Sequence, residues 1–183
     1  YRSEGKITED SYKNLIKNCI NRGHESVLEH EKVTVRIYND IGSYKDLTRH
    51  RFASFSVEST RYCSYDKDKY GNEISFMDPV YIEDEKVYEV WKKTMQDIEN
   101  SYLEMKKLGA TTDMCRNILP HSTAAEYTMT ANIREWKHIF ELRANNHVHP
   151  AIRQVMIPLL KYFKEQMPDI FGDIPYDEEF NPE

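Results

Sequence analysis

At 183 residues with 39% hydrophobic positions, the chain is long enough to bury a core without metal or disulfide staples, and its regularly recurring apolar positions exclude a disordered polymer. A formal net charge of -6 excludes a general grip on nucleic-acid backbone, no apolar run reaches the ~18–20 residues of a membrane span, and the three cysteines, Cys19, Cys63 and Cys115, lack the spacing of a disulfide framework or thiolate metal site. The charged start at Tyr1, Arg2, Ser3 and Glu4 is unlike a secretory leader, so a soluble, cytoplasmic protein with reduced thiols is expected.

Tyr12, Leu15, Ile16, Cys19 and Ile20 recur at helical spacing, which predicts an amphipathic helix over Thr8 to Arg22, capped by Thr8 and stopped by Gly23. Val33, Val35 and Ile37 alternate with Thr34, Arg36 and Tyr38 as in a half-buried strand. Ser43 with Asp46 three positions on resembles a helix start and places Arg49 to Arg51 near the end of a short helix. Tyr62 to Tyr65 and Ile74 to Met77 are strand-like around a Gly71-Asn72 turn, which suggests a hairpin or extended loop. A long helix follows, with Tyr88, Trp91, Met95, Ile98, Tyr102 and Met105 on one face and Gly109 at its end. Beyond Leu119-Pro120, Tyr127, Met129, Ala131 and Ile133 alternate as a strand, and Trp136, Ile139, Phe140 and Arg143 return to helical spacing. A last helix opens at Pro150, with Pro158 expected to bend or divide it. The interleaving lacks a strict βαβ rhythm and predicts an α/β protein of mixed α+β type, a central sheet with packed helices. One catalytic domain over residues 1–168 is expected, with an acidic, solvated extension over 169–183.

The stretch Arg49-His50-Arg51-Phe52-Ala53-Ser54-Phe55-Ser56-Val57-Glu58-Ser59-Thr60-Arg61-Tyr62 concentrates guanidinium groups, hydroxyls and aromatic rings. Guanidinium is planar, permanently charged and matched to phosphate oxygens, and hydroxyls complete such a cradle, so the composition points to a small anion. The plainer reading is a solvated basic helix end with carboxylate partners. Three further blocks stand in fixed order around it: His24-Glu25-Ser26-Val27-Leu28-Glu29-His30 upstream, then Arg116-Asn117-Ile118-Leu119-Pro120, then Asn132-Ile133-Arg134 with His138 and Leu142-Arg143. His149-Pro150-Ala151-Ile152-Arg153 closes the series.

In order and spacing these blocks resemble the flavin-dependent thymidylate synthases, over roughly residues 24 to 153. The resemblance implies that family's fold and the reductive methylation of dUMP to dTMP, with FAD as cofactor and NADPH and 5,10-methylenetetrahydrofolate as co-substrates. It also implies a homotetramer with shared active sites, acting on dUMP and folate and on neither polymeric nucleic acid nor membrane. Carried over by position, Ser26, Arg49, His50, Arg51, Asn132, Arg134 and His138 would contact FAD. Asp46, Arg49, Ser59, Thr60, Arg61, Arg116 and Arg143 would bind dUMP, and His50, Ser59 and Arg143 would stand closest to the chemistry, Ser59 as a substrate-binding hydroxyl rather than a nucleophile. Two positions depart from the family pattern. Val57 stands where members usually carry Gln or Glu, and Asp46 is shorter than the usual Gln or Glu.

Duller readings compete. His24, His30, His147 and His149 do not have His-Glu-x-x-His spacing, so no metal site is expected. Trp91 and Trp136 are core by their helical spacing. An RNA- or nucleotide-binding module would use the arginine cluster without flavin and would show steep salt dependence, and a metal-dependent phosphohydrolase would lose activity to chelators.

Overall fold

A computed structural model of the chain describes residues 4–67 and 71–180. The charged start at Tyr1 to Ser3 lies outside the described residues. The fold is mixed α+β, as the interleaved periodicities predict, and the chain divides into two compact units: residues up to Thr34 together with those from Thr130 onward, and Val35–Met129. The three-stranded sheet has the order β1 (Lys32–Asp40), β3 (Ala124–Asn132), β2 (Ala53–Val57). Backbone bonds from Ile41 to Thr123 and from Ile133 to Glu31 make β1 and β3 antiparallel.

In the first unit, α1 (Ser11–Asn21) begins three residues after the predicted start. Thr8 does not cap it. Its N–H and carbonyl are both taken by the Ser11 hydroxyl, at 3.0 and 2.9 Å, which closes a separate turn before the helix. Gly23 adopts φ +70 just past the helix end, the left-handed conformation that glycine takes without steric cost. At the end of β3, the Asn132 side chain accepts from the Glu135 N–H at 2.8 Å and caps α5 (Ile133–Arg143), so strand passes to helix without a loop. The core of this unit is an aromatic cluster: Phe163 lies 5.4 Å from Trp136, 5.1 Å from Phe140 and 5.0 Å from Phe171 between ring centroids. Trp136 also donates its indole N–H to the Val33 carbonyl at 3.1 Å.

Helix α6 (Pro150–Gln166) opens at its predicted proline and runs through Pro158 undivided. Pro158 faces outward between buried Ile157 and Leu160, so the carbonyl its ring leaves without a partner can turn to solvent. The acidic tail, expected as a solvated extension, leaves Gly172, Asp173, Pro175, Glu178 and Glu179 exposed after α7 (Pro168–Phe171) and is anchored at two points. Phe171 and Ile174 are buried, because two apolar side chains set among acidic residues are enough to anchor a short segment.

In the second unit, α2 (Ile41–Leu47) starts two residues before the expected Ser43. Asp40 is the cap, its carboxylate accepting from the Ser43 N–H at 2.6 Å, while the Ser43 hydroxyl turns back to the Asp40 carbonyl and to Tyr127 Oη. Strand β2 lies inside the arginine-rich motif, where Ala53, Phe55 and Val57 alternate with Ser54 and Ser56. Among the described residues no strand ladder joins residues 62–65 to 74–77, so of the hairpin or loop expected there they show the loop. Tyr62 and Cys63 both send their N–H groups to the Ser59 carbonyl, at 2.9 and 3.0 Å, and this turn prevents the segment from extending. Cys63, Ser64 and Tyr65 are consecutively buried rather than alternating. Gly71 and Asn72 do adopt positive φ, but beyond them only an antiparallel bridge between Phe76 and Thr123 forms. The long helix is confirmed as α3 (Glu85–Lys107), capped by Asp84 and followed by Gly109 at φ +88. It packs Tyr102 against Tyr65, Cys63, Cys115 and Ile74.

Candidate nucleotide and cofactor site

The second unit carries Asp46, Arg49, His50, Arg51, Ser59, Thr60, Arg61 and Arg116. Arg49 and Arg51 follow the C-terminal end of α2 and are exposed, with Arg49 3.3 Å from Asp46 one turn earlier. Between them His50 is buried, its N–H bonded to the Leu47 carbonyl at 3.0 Å and its carbonyl to the Ala53 N–H at 3.3 Å. The two guanidinium groups therefore point to solvent, and the imidazole packs inward at the corner that starts β2.

Ser59, Thr60 and Arg61 form the turn after β2. Arg61 reaches Asp113 of α4 (Thr112–Cys115) at 2.8 Å, and its guanidinium lies 5.9 Å from the Tyr62 ring. Arg116 opens the 3-10 turn Arg116–Ile118 directly after α4, so the Arg61–Asp113 pair joins the two segments that carry these arginines. α4 itself is capped by the Thr111 hydroxyl, which accepts from the Met114 N–H at 3.3 Å. Beneath this surface the Ser64 hydroxyl donates to Asp66 at 2.5 Å, and this bond, with Lys106 nearby, lowers the Asp66 pKa. Burial pushes the Cys115 thiol up, so the thiol form is favoured and the residue is a poor nucleophile.

The first unit carries Ser26, Asn132, Arg134, His138 and Arg143. Ser26 is exposed on the 3-10 turn Glu25–Glu29. Arg134, in the first turn of α5, is bound to Glu29 at 2.5 Å and lies 3.7 Å from Glu25, which also takes Lys137 at 2.7 Å. This network fastens the Ser26 turn to the start of α5. His138 is exposed one turn further on, and burial raises the Glu135 pKa while His138 pulls it down. Asn132 commits its side-chain oxygen to the helix cap, leaving the amide NH2 as the group a ligand can use. Arg143 stands in the last turn of α5.

The structure thus brings Arg61 to the Arg116 segment and Ser26 to Arg134. Asp113, Glu25 and Lys137 were not singled out from sequence, although Asp113 lies three residues before Arg116 and Glu25 stands inside the His24–His30 block. For a dinucleotide such as FAD the donor set is chemically suitable: guanidinium groups for the diphosphate and hydroxyl and amide groups for ribose and ring edges. The Arg134 ion pairs are half-exposed, so exchanging a carboxylate for a phosphate there costs little. Among the described residues, no helix is long and apolar enough to cross a membrane.

Comparison with known proteins gives a consistent result. A family model described as thymidylate synthase complementing protein matches residues 1–169. The flavin-dependent thymidylate synthase of Pyrococcus abyssi is 35% identical over 159 residues, covering 85% of this chain and 64% of that protein. Its namesake in Pyrococcus furiosus is 33% identical with the same coverage, and that of Thermococcus onnurineus is 31% identical over 180 residues, covering 97% of this chain and 68% of the relative. The chain therefore spans 64% of the length of the first two relatives.

Proposed function

The chain belongs to the thymidylate synthase complementing protein family, and from that premise we propose that it acts as a flavin-dependent thymidylate synthase, converting dUMP to dTMP. The observation that carries this reading is the Arg61–Asp113 junction, which joins a hydroxyl-bearing turn, Ser59-Thr60-Arg61, to the segment of a second exposed arginine, Arg116. Paired guanidinium groups with adjacent hydroxyls suit a nucleotide monophosphate.

In this reading Ser59, Thr60, Arg61 and Arg116 hold the phosphate and sugar of dUMP, with Arg49 nearby, and Arg143 meets the uracil edge, where a guanidinium stabilises negative charge developing on the ring. Asp46 faces the uracil with a shorter reach than the family's usual residue. Ser26, Arg49, Arg51, Asn132, Arg134 and His138 hold FAD, and buried His50 fixes the corner that aims Arg49 and Arg51. When bound, reduced FAD supplies the hydride, NADPH having reduced it, and 5,10-methylenetetrahydrofolate supplies the carbon. The chain's own part is to orient the ligands and exclude water, so no cysteine nucleophile is needed. The candidate residues are spread over two units and mostly exposed, which favours active sites shared among the copies of a homotetramer.

The test is conversion of dUMP to dTMP by the purified chain supplied with FAD, NADPH and 5,10-methylenetetrahydrofolate. Turnover that requires all three supports the proposal. Binding of dUMP with no turnover in their presence counts against it.

A further inference from the structure

We propose that Asp177, clamped by Arg153, is a positioning residue for Arg143, acting through the C-terminal end of α5. The proposal rests on the reading of Arg143 as a dUMP ligand. The last carbonyls of a helix have no partner within the helix, and a final turn without outside partners frays. In α5 the residue after Arg143 is Ala144, which is fully buried and donates its N–H to the Phe140 carbonyl at 2.9 Å. The Ala144 carbonyl is in turn taken by the N–H of Asp177, also at 2.9 Å. A residue of the tail thus closes the turn that presents Arg143.

The same Asp177 is held through its side chain. Its carboxylate accepts from Arg153 of α6, and the two side chains retain only 10% and 14% of their exposure. The Arg153 guanidinium lies 4.5 Å from the Phe180 ring centroid, so the pair is covered from the tail side. Flanking contacts seat the segment along α6: the Tyr176 ring lies 5.6 Å from Lys161 and 5.2 Å from Lys164, and Lys164 donates to the Gly172 carbonyl at 2.9 Å. The ion pair fixes the residue whose N–H reaches Ala144. Without that anchor the Ala144 carbonyl loses its partner and the last turn of α5, whose Glu141 and Leu142 carbonyls the Asn145 side chain still takes at 3.1 and 3.3 Å, loosens, and re-ordering it on binding is taken from the affinity for dUMP. Asp177 and Phe180 lie beyond the residues 1–169 that the family model matches, while Arg153 and Ala144 lie within them.

The test uses full-length protein saturated with FAD and compares Asp177→Ala, Asp177→Glu and Arg143→Ala. Asp177→Ala is expected to raise the dUMP Kd about tenfold, with FAD affinity and kcat at saturating dUMP little changed. Hydrogen exchange should quicken at the amides of the last turn of α5, and Asp177→Glu should restore most of the dUMP affinity. If Asp177→Ala does not fold, Asp177→Asn, which keeps the shape and removes the charge, is read by the same criteria. An unchanged dUMP Kd in Asp177→Ala beside a weakened Arg143→Ala overturns the positioning role alone, as does equal loss of FAD and dUMP affinity. An unchanged Kd in Arg143→Ala overturns the reading of Arg143 and the proposal with it.

Discussion

Arg61 shares its charge between an exposed carboxylate and an aromatic ring, and a phosphate entering beside it must share or displace the Asp113 pair. Exposed pairs of this kind contribute little, so the exchange is readily made. Arg61→Ala is therefore expected to weaken dUMP binding about 10- to 100-fold, the range of one or two charge-assisted hydrogen bonds, and to leave FAD affinity intact. Titration calorimetry with each ligand separates the two, and equal loss of both would contradict the division of roles. His50 is a different case, because it is buried at the α2–β2 corner. His50→Ala should lower turnover while leaving the dUMP Kd within about threefold, and steady-state kinetics beside a binding titration would expose any other pattern.

Tyr127 offers a test that needs no ligand. Burial raises its pKa to about 12, the hydrogen bond with Ser43 only partly offsetting the effect. The unfolded phenol ionises near its ordinary value of 10, so stability is complete below that pH and falls as pH rises toward 12, where the folded state still holds the proton. The loss should approach about 2 kcal/mol. Urea unfolding at pH 9 and pH 11 should show it in the natural chain and much less of it in Tyr127→Phe. Equal pH slopes for both proteins would remove Tyr127 as the cause.

At the scale of elements, legibility followed period and length. The 23-residue α3 was readable because a long apolar stripe outweighs local detail. The strand that became β1 and the strand-to-helix passage at Asn132 were readable for the same reason. Helix starts were misplaced at α1 and α2 because Thr8, Asp10, Asp40 and Ser43 all suit a cap, and only the fold decides which carboxylate or hydroxyl meets the open N–H groups. Strand β2 was missed although Ala53, Phe55 and Val57 alternate, since five residues rich in serine carry little hydrophobic signal. Pro158 was expected to bend or divide α6; the helix is undivided, because the proline sits on the exposed face where its missing bond is tolerated. Pro158→Ala should therefore stabilise the chain, by about 1–3 kcal/mol in chemical denaturation, as a proline inside a helix is replaced by its best former. An unchanged midpoint would mean that the helix does not bear that cost.

At the scale of the whole molecule, the residue types of the site were legible and its wiring was not. Arg61, Arg116, Ser26 and Arg134 could be singled out through the resemblance to the flavin-dependent thymidylate synthases. That Asp113 ties the first two segments, or that Glu25 and Glu29 tie the second, depends on contacts across 52 and 105 positions of sequence, which no local pattern encodes. The same holds for Asp177, whose link to Ala144 emerges only once the tail is seated. Shared sites predict that the active species has a mass four times the 21.8 kDa of the chain, measurable by light scattering. Full activity in a monomer would contradict sharing.

The most direct measurement is the absorbance spectrum of the purified protein between ~350 and ~500 nm with FAD added, followed by titration with dUMP, since one cuvette reports both ligands and their proximity. The expected result is a bound-flavin spectrum that dUMP shifts saturably. A protein that leaves the FAD spectrum unchanged, or a bound flavin indifferent to dUMP, would contradict a flavin and a nucleotide held in one site.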